Sequence, residues 1–292
     1  MLTVTQPSDT PGENAETINW FAEFRGLFLM LLAVLAFHSI VAKPFFIPST
    51  SMLPNLMVGD RLVVTKYPYG WSWVSASFHV LPRSDTRIWG ADPAYGDIVI
   101  AVPPTRDEDY IKRVVALPGD RIAVENGRII LNGTQVPRTV EPPVRLPYDA
   151  QQICSGLQCL GYFQRYLVTL DNGAKAYEVP VYRETLPNGA SYLVIDHEKD
   201  PLDNFAEITI PDGHIFMMGD NRDHSADSRA EAFADGLGGP VPLQNVGGRA
   251  EFITFSLDGT TSWNPSTWFS SLRSDRAWST LRPAIAEEGV SQ

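Results

Sequence analysis

"DYIKRVVALPGDRIAVENGRIILNGTQV", residues 109–136, decides the fold class. Short runs rich in valine and isoleucine are broken by Pro118-Gly119, Asn126-Gly127 and Asn132-Gly133. β-Branched residues suit a pleated, half-buried strand. Gly and Asn tolerate positive φ, so Asn-Gly between such runs marks a tight reversal. The stretch is expected to fold as short consecutive strands. One residue is out of keeping. Lys112 lies among Ile111, Val114, Val115, Ala116 and Leu117, in what should be a core strand. It either reaches solvent at a strand edge or sits desolvated, where burial disfavours its charged form.

The same pattern extends on both sides. "GDRLVVTKYPYGWSWVSASFHVLP" (59–82) reads as a strand followed by an aromatic hairpin or ribbon, and "YGDIVIAVPP" (95–104) as another strand. "EITIPDGHIFMMGDNRDHSADSR" (207–229) reads as strand, turn and polar loop, and "GGRAEFITFSLD" (247–258) as a closing strand. With Pro 23 and Gly 22 in 292 residues, the chain reads as β-rich and full of turns, and the expected fold class is all-β with an antiparallel-sheet main domain. The expected division is a main β-domain at 44–136 and 206–262, with 137–205 inserted as a second β-subdomain. Residues 263–292 form a C-terminal tail whose tryptophans and arginines allow either an interfacial helix or an ordinary exposed one. A formal charge of −11 without any Lys/Arg-rich run argues against nucleic acid as a partner.

The first part of the chain is different. Residues 1–22, rich in Thr, Asn, Glu and Pro, resemble a disordered tail. Then "GLFLMLLAVLAFHSIVA" (26–42) carries no Asp, Glu, Lys or Arg. A bilayer needs ~17–25 apolar residues, so a single transmembrane anchor over 23–43 is expected. A buried core helix is the alternative, but an all-round apolar surface is unusual for one. A cleaved leader would have a basic start and a small-x-small end, which Ile40-Val41-Ala42 lacks. Arg25 against Lys43 and Arg61 gives no orientation by charge. Cys154 and Cys159 are the only cysteines, close enough for a small disulfide loop that would require an oxidising compartment. Two free thiols are the alternative. Their spacing is neither Cys-x-x-Cys nor part of a zinc set, and no cofactor or metal motif appears.

Candidate chemistry centres on "FFIPSTSMLPNL" (45–56), where Ser49, Thr50 and Ser51 follow the apolar segment. Such clusters usually serve turns and caps. None of His38, His79, His197, His214 and His224 has a familiar nucleophile context, and no Gly-x-Ser-x-Gly elbow occurs. Lysine can replace histidine as base, provided it is largely neutral. At its ordinary pKa roughly one lysine in a few thousand is neutral at pH 7. Lys112 has the apolar setting that could lower it.

Five boxes occur in order: "IPSTSMLPNL", "GDRLVVTKYPYG", "YGDIVIAVPP", "DYIKRVVALPGD" and "GDNRDHSADSR". Together, after a membrane span, they resemble bacterial type I signal peptidase, or leader peptidase. The resemblance implies an all-β catalytic domain, a serine–lysine dyad and a position outside the cytoplasmic membrane, cutting signal peptides from exported preproteins. By the same resemblance Ser51 is the nucleophile, Lys112 the general base, and Ser49 an oxyanion donor beside the Ser51 N–H. Ser225 would orient the lysine, with Asp227, Arg229, Gly219 and Asp220 supporting the site. Ile47, Met52, Leu56, Tyr110 and Ile111 would wall the pocket for the residue before the cut. Phe45, Asp109 and Ile111 would border the one two residues further back. His224 stands where the family often has asparagine, and residues 230–239 form a longer loop than usual. Two other readings compete. One is the same dyad serving a single specialised precursor or self-cleavage. The other is a non-catalytic anchored binding module, against which Ser51 and Lys112 are both intact.

Overall fold

The computed structural model describes residues 19–149 and 157–285. After α1 (Trp20–Ile40) come β1 (Ala42–Phe46), β2 (Asp60–Thr65), β3 (Ile98–Ala101) and β4 (Tyr110–Ala116). Then follow β5 (Arg121–Glu125), β6 (Arg128–Leu131), β7 (Thr134–Gln135) and β8 (Arg138–Pro147). α2 (Leu157–Gln164) precedes β9 (Leu167–Thr169), β10 (Lys175–Thr185) and β11 (Ala190–Val194). The described chain ends with β12 (Phe205–Thr209), β13 (His214–Met218), β14 (Val241–Pro242), β15 (Val246–Ser256), α3 (Ser266–Ser270) and β16 (Ala284–Ile285).

The strands make three antiparallel sheets. The main one runs β1-β2-β15-β3-β4-β13-β14, the second β16-β11-β10-β8 with β9 beside β10, and the third β12-β5-β6-β7. The all-β expectation is met, and the reason is visible at the turns. Asn126 and Gly127 have φ of 48° and 76°, Asn132 and Gly133 of 54° and 79°. Positive φ at both central residues is the twist-compatible hairpin geometry that Asn-Gly supplies. Lys112 pairs with Val99 of β3 inside the main sheet, so it is no edge lysine.

Apolar packing joins the sheets. Ile122, Val124 and Ile129 of the third sheet share one core cluster with Tyr192 and Val194 of the second and Phe216 of the main sheet. Another cluster gathers Ile47, Met52, Leu56, Leu62, Ile98 and Ile111, with Phe45 against it. Tyr69, Val99, Val114 and Met217 form a further one, against which Tyr110 packs. The second sheet therefore buries a face against the strands that carry Lys112 and the 219–229 loop.

α1 has no buried residue and is long and apolar enough to cross a membrane. It begins and ends three residues before the expected 23–43 span. Asn19 caps it, its side chain accepting from the Ala22 N–H at 3.2 Å, and the chain is already paired as β1 from Ala42. Pro44 fits there because β1 is an edge strand.

Two local expectations fail. Between β2 and residue 82 no hairpin forms: the chain makes 3₁₀ turns at Trp73–Ser75 and Ser77–His79, and Trp71 makes one isolated bridge, to Ile88. Side-chain anchoring replaces pairing, since the Trp71 indole donates to the Ile40 carbonyl at 2.8 Å and Arg83 to those of Pro103 and Pro104 at 3.2 and 2.7 Å. The 263–282 segment is helical only over Ser266–Ser270 and at the 3₁₀ turn Ser274–Arg276. It runs back along β15 instead, with Trp278 N donating to the Ile253 carbonyl at 2.7 Å and Leu281 N to that of Glu251 at 2.8 Å. Arg276 clamps Asp60 at 2.9 and 2.5 Å. Cys154 lies outside the described residues, and so does the side chain of Cys159, so the disulfide expectation falls outside them.

Candidate active site

Ser51 lies in the turn-rich connection between β1 and β2. Leu53 N bonds to the Thr50 carbonyl and Leu56 N to that of Met52, at 3.1 and 2.9 Å, so the segment coils tightly around the serine. It is fixed from the other side by Asn221, whose N–H donates to the Ser51 carbonyl at 3.1 Å and whose amide donates to that of Thr50 at 3.2 Å. Ser51 is 7% exposed.

β4 delivers Lys112 to the same point. Its Nζ donates to Ser51 Oγ at 2.9 Å and to the Ile111 carbonyl at 3.0 Å, and the side chain is buried. Burial pushes its pKa down from 10.5 to about 8, while Asp227 and Asp220 pull in the opposite direction. Desolvation wins because neither carboxylate hydrogen-bonds the ammonium. Ser49 Oγ is 3.3 Å from Ser51 Oγ. An exposed hydroxyl, a buried hydroxyl and a buried lysine thus meet across 61 residues of sequence.

The loop after β13 forms the floor. Gly219 approaches so closely that an added Cβ would lie 2.2 Å from Ser225 Oγ and 2.5 Å from the Ser51 carbonyl oxygen. Its N–H donates to Asp227 Oδ2 at 2.9 Å, and Arg229 grips the same carboxylate with Nε and a terminal nitrogen, both at 3.0 Å. Burial would raise the Asp227 pKa, but Arg229 and these bonds lower it overall. Ser225 is brought beside Gly219, yet its buried Oγ has no hydrogen-bond partner among the described residues. Ser225, expected to orient the lysine, makes no hydrogen bond to it; Lys112 Nζ bonds instead to Ser51 Oγ and the Ile111 carbonyl. His224 turns away from the serine–lysine pair, with its ring edge-on to Tyr162 at 4.8 Å.

Asp220, expected as support for the site, has a definite task in the structure. Arg113 donates to its two oxygens at 2.7 and 2.6 Å, and the Asn55 amide to one of them at 2.7 Å. One carboxylate therefore ties the serine loop, the lysine strand and the 219–229 loop together. Behind it, Arg222 donates to both Glu184 oxygens at 3.0 and 2.5 Å, and Arg138 to one at 2.6 Å. Burial opposes ionisation of Glu184, but the two guanidiniums pull its pKa down to about 2. Sequence reasoning missed Asn55, Arg113, Arg138, Glu184 and Arg222. The Lys112-Arg113 pair in an apolar strand was the one available hint.

The proposed pocket walls divide. Phe45, Ile47, Met52, Leu56 and Ile111 cluster together, but Ile47, Met52 and Leu56 expose at most 1% of their surface. Any first pocket here is shallow. Tyr110 points to the other face of β4, where its hydroxyl donates to the Asp235 carbonyl at 3.0 Å. Asp109 faces Lys43 at 3.7 Å and His79 at 3.3 Å.

A buried hydroxyl–lysine pair on an antiparallel scaffold belongs to the chemistry of serine peptidases. The family model described as "Signal peptidase, peptidase S26" matches residues 18–255, and the chain belongs to that family. It is 31% identical over 245 residues to a signal peptidase I of Rickettsia typhi, covering 80% of each chain. A signal peptidase I of Rickettsia akari is 32% identical over 238 residues, covering 78% of this chain and 77% of the relative. A solved signal peptidase I from Enterococcus faecalis aligns with 55% of this chain and 97% of its own, at 19% identity and a TM-score of 0.27.

Proposed function

We propose that this chain is a membrane-anchored serine endopeptidase that removes signal peptides from exported preproteins by a Ser51–Lys112 dyad. The observation that carries this reading is the 2.9 Å bond from a buried lysine, with a lowered pKa, to a buried serine. Neutral Lys112 takes the Ser51 proton as Oγ attacks the scissile carbonyl. The ammonium so formed protonates the leaving amine, and a water then hydrolyses the acyl-enzyme. Ser49, with the Ser51 N–H, is the oxyanion donor; removing one such donor costs about 10²–10³ in rate, or ~2.7–4 kcal/mol. Gly219, Asp220, Ser225, Asp227 and Arg229 hold the loop under the dyad.

α1 is the anchor in the lipid bilayer, single-pass, with residues from about 43 onward on the outer, periplasmic face of a bacterial cytoplasmic membrane. The main catalytic β-domain is 44–136 with 206–262, and 137–205 is its insertion. The substrate binds as an added strand alongside β1, alternate side chains turned inward. Shallow apolar sites at Ile111 and Phe45 then select small residues at the first and third positions before the cut. A peptide with Ala-x-Ala before a single scissile bond, incubated with the full chain in detergent, tests the reading. Cleavage after the second alanine is expected. No cleavage by folded protein at any pH between 7 and 9 overturns it.

A further inference from the structure

Along β1 and the residue that follows it, Lys43, Phe45 and Ile47 are two residues apart and share a face, as strand alternation requires. The contacts agree: Lys43 Nζ stands 4.7 Å over the Phe45 ring, and Phe45 packs on the cluster holding Ile47 and Ile111. Opposite them, Asp109 and Ile111 are also two apart at the start of β4. The sheet curls so that Lys43 and Asp109 meet at 3.7 Å although β1 and β4 are separated by three strands. His79 reaches the same carboxylate at 3.3 Å. All three side chains stay partly open to solvent, at 27%, 25% and 15% exposure. Buried Lys66, whose ammonium donates to the Ser75 carbonyl, feels both Lys43 and Asp109. The row beginning at Ile47 and Ile111 therefore ends in a charged cluster one strand repeat beyond Phe45.

We infer that Lys43, Asp109 and His79 form a third, polar subsite, for the side chain five residues before the scissile bond. This deepens the proposed function and rests on it. A strand rises about 3.3 Å per residue, so inward side chains recur about every 6.6 Å. Inward positions one and three reach Ile111 and Phe45, and the next inward position arrives at Lys43 and Asp109. The subsite takes a short uncharged polar side chain, such as serine, whose hydroxyl accepts from the Lys43 ammonium and donates to Asp109. A charged side chain meets one favourable and one unfavourable partner, and an apolar one covers an ion pair without satisfying it. The site also lies three residues beyond the end of α1, where an apolar substrate segment would turn toward the bilayer.

The test uses Ala-x-Ala peptides carrying serine, leucine, glutamate or lysine at the fifth position, with kcat/KM measured for the full chain in detergent. Serine should exceed leucine. Lys43→Gln should lower the glutamate-to-lysine ratio and Asp109→Asn should raise it, each by roughly two- to fivefold, the range of a partly exposed ion pair. Salt should compress both changes by screening. A merely structural role for either residue would slow all peptides alike and leave the ratios still. Unchanged ratios in both variants, with Ala-x-Ala cleavage intact in the wild-type chain, overturn the subsite and spare the peptidase reading. Absence of all cleavage overturns that reading first.

Discussion

If Lys112 is the base, the pH at which it loses its proton sets the pH at which the protein works. Burial moves its pKa from 10.5 to about 8. At pH 7 about one molecule in ten then holds a neutral lysine, and at pH 9 about nine in ten. With an ordinary lysine the pH 7 fraction would be about one in three thousand. The profile of kcat/KM, which reports the free enzyme, should therefore rise about tenfold from pH 7 to 9 and level off, with its acid limb centred near 8. The same displacement acts on stability. The unfolded chain keeps the lysine proton up to 10.5 and the folded chain releases it near 8, so between these values the unfolded state binds more protons and stability rises with pH. Below 8 the folded protein carries the whole cost, about 3 kcal/mol for a displacement of about 2.5 pH units. Lys112→Met should thus be inactive yet more stable at pH 7, by up to about 3 kcal/mol, the gain fading as pH approaches 10.5. Denaturant titrations of both proteins in detergent at pH 7 and 10 would measure it. An acid limb above 9.5, or a Lys112→Met gain that does not shrink with pH, would refute the desolvated-base reasoning.

Three further outcomes are expected. Ser51→Ala and Lys112→Arg should each reduce peptide cleavage to background while folding normally by circular dichroism, since a guanidinium stays charged and cannot serve as base; near-wild-type turnover of either would remove the dyad. Gly219→Ala places a methyl 2.5 Å from the Ser51 carbonyl oxygen, so the serine must shift, costing about 1–3 kcal/mol in stability and about 10²-fold in kcat. Full activity in that variant would show that the loop yields freely. Glu184→Ala leaves the buried Arg222 guanidinium without its carboxylate and Arg138 with Asp196 alone, and should cost about 3–5 kcal/mol in a denaturant midpoint experiment; a loss below 1 kcal/mol would mean that water replaces the carboxylate.

The strands were legible because valine-rich runs and Asn-Gly pairs act locally, on neighbouring residues. The serine–lysine pairing was legible only through resemblance to a family, because nothing within either segment specifies a partner 61 residues away. The ion-pair lattice was not legible at all. Arg138 and Glu184 lie in polar, irregular sequence, where a charged residue is ordinarily solvated, and only sheet pairing buries them. The stretch from β2 to residue 82 and the 263–282 segment are misleading for a related reason. Their aromatic content suggests hairpin or helix, yet the Trp71 indole bond to the Ile40 carbonyl in one and the backbone bonds of Trp278 and Leu281 to β15 carbonyls in the other decide their course.

β4 places two cations side by side and asks opposite things of them. Lys112 is turned to one face, where the proposed mechanism needs it to shed its proton, and Arg113 to the other, where it keeps its charge for Asp220. Because a strand alternates faces with every residue, sliding β4 by one position would turn each of them to the face the other now holds. Sliding one way would bring a guanidinium before Ser51, unable to accept a proton, and sliding the other way would bring a slender ammonium before a carboxylate shaped for a fork. The misaligned protein would be silent as a protease and loose at its central node. Peptide cleavage is thus an audit of strand alignment: any molecule that turns over substrate has its central sheet in register, with no separate structural assay required.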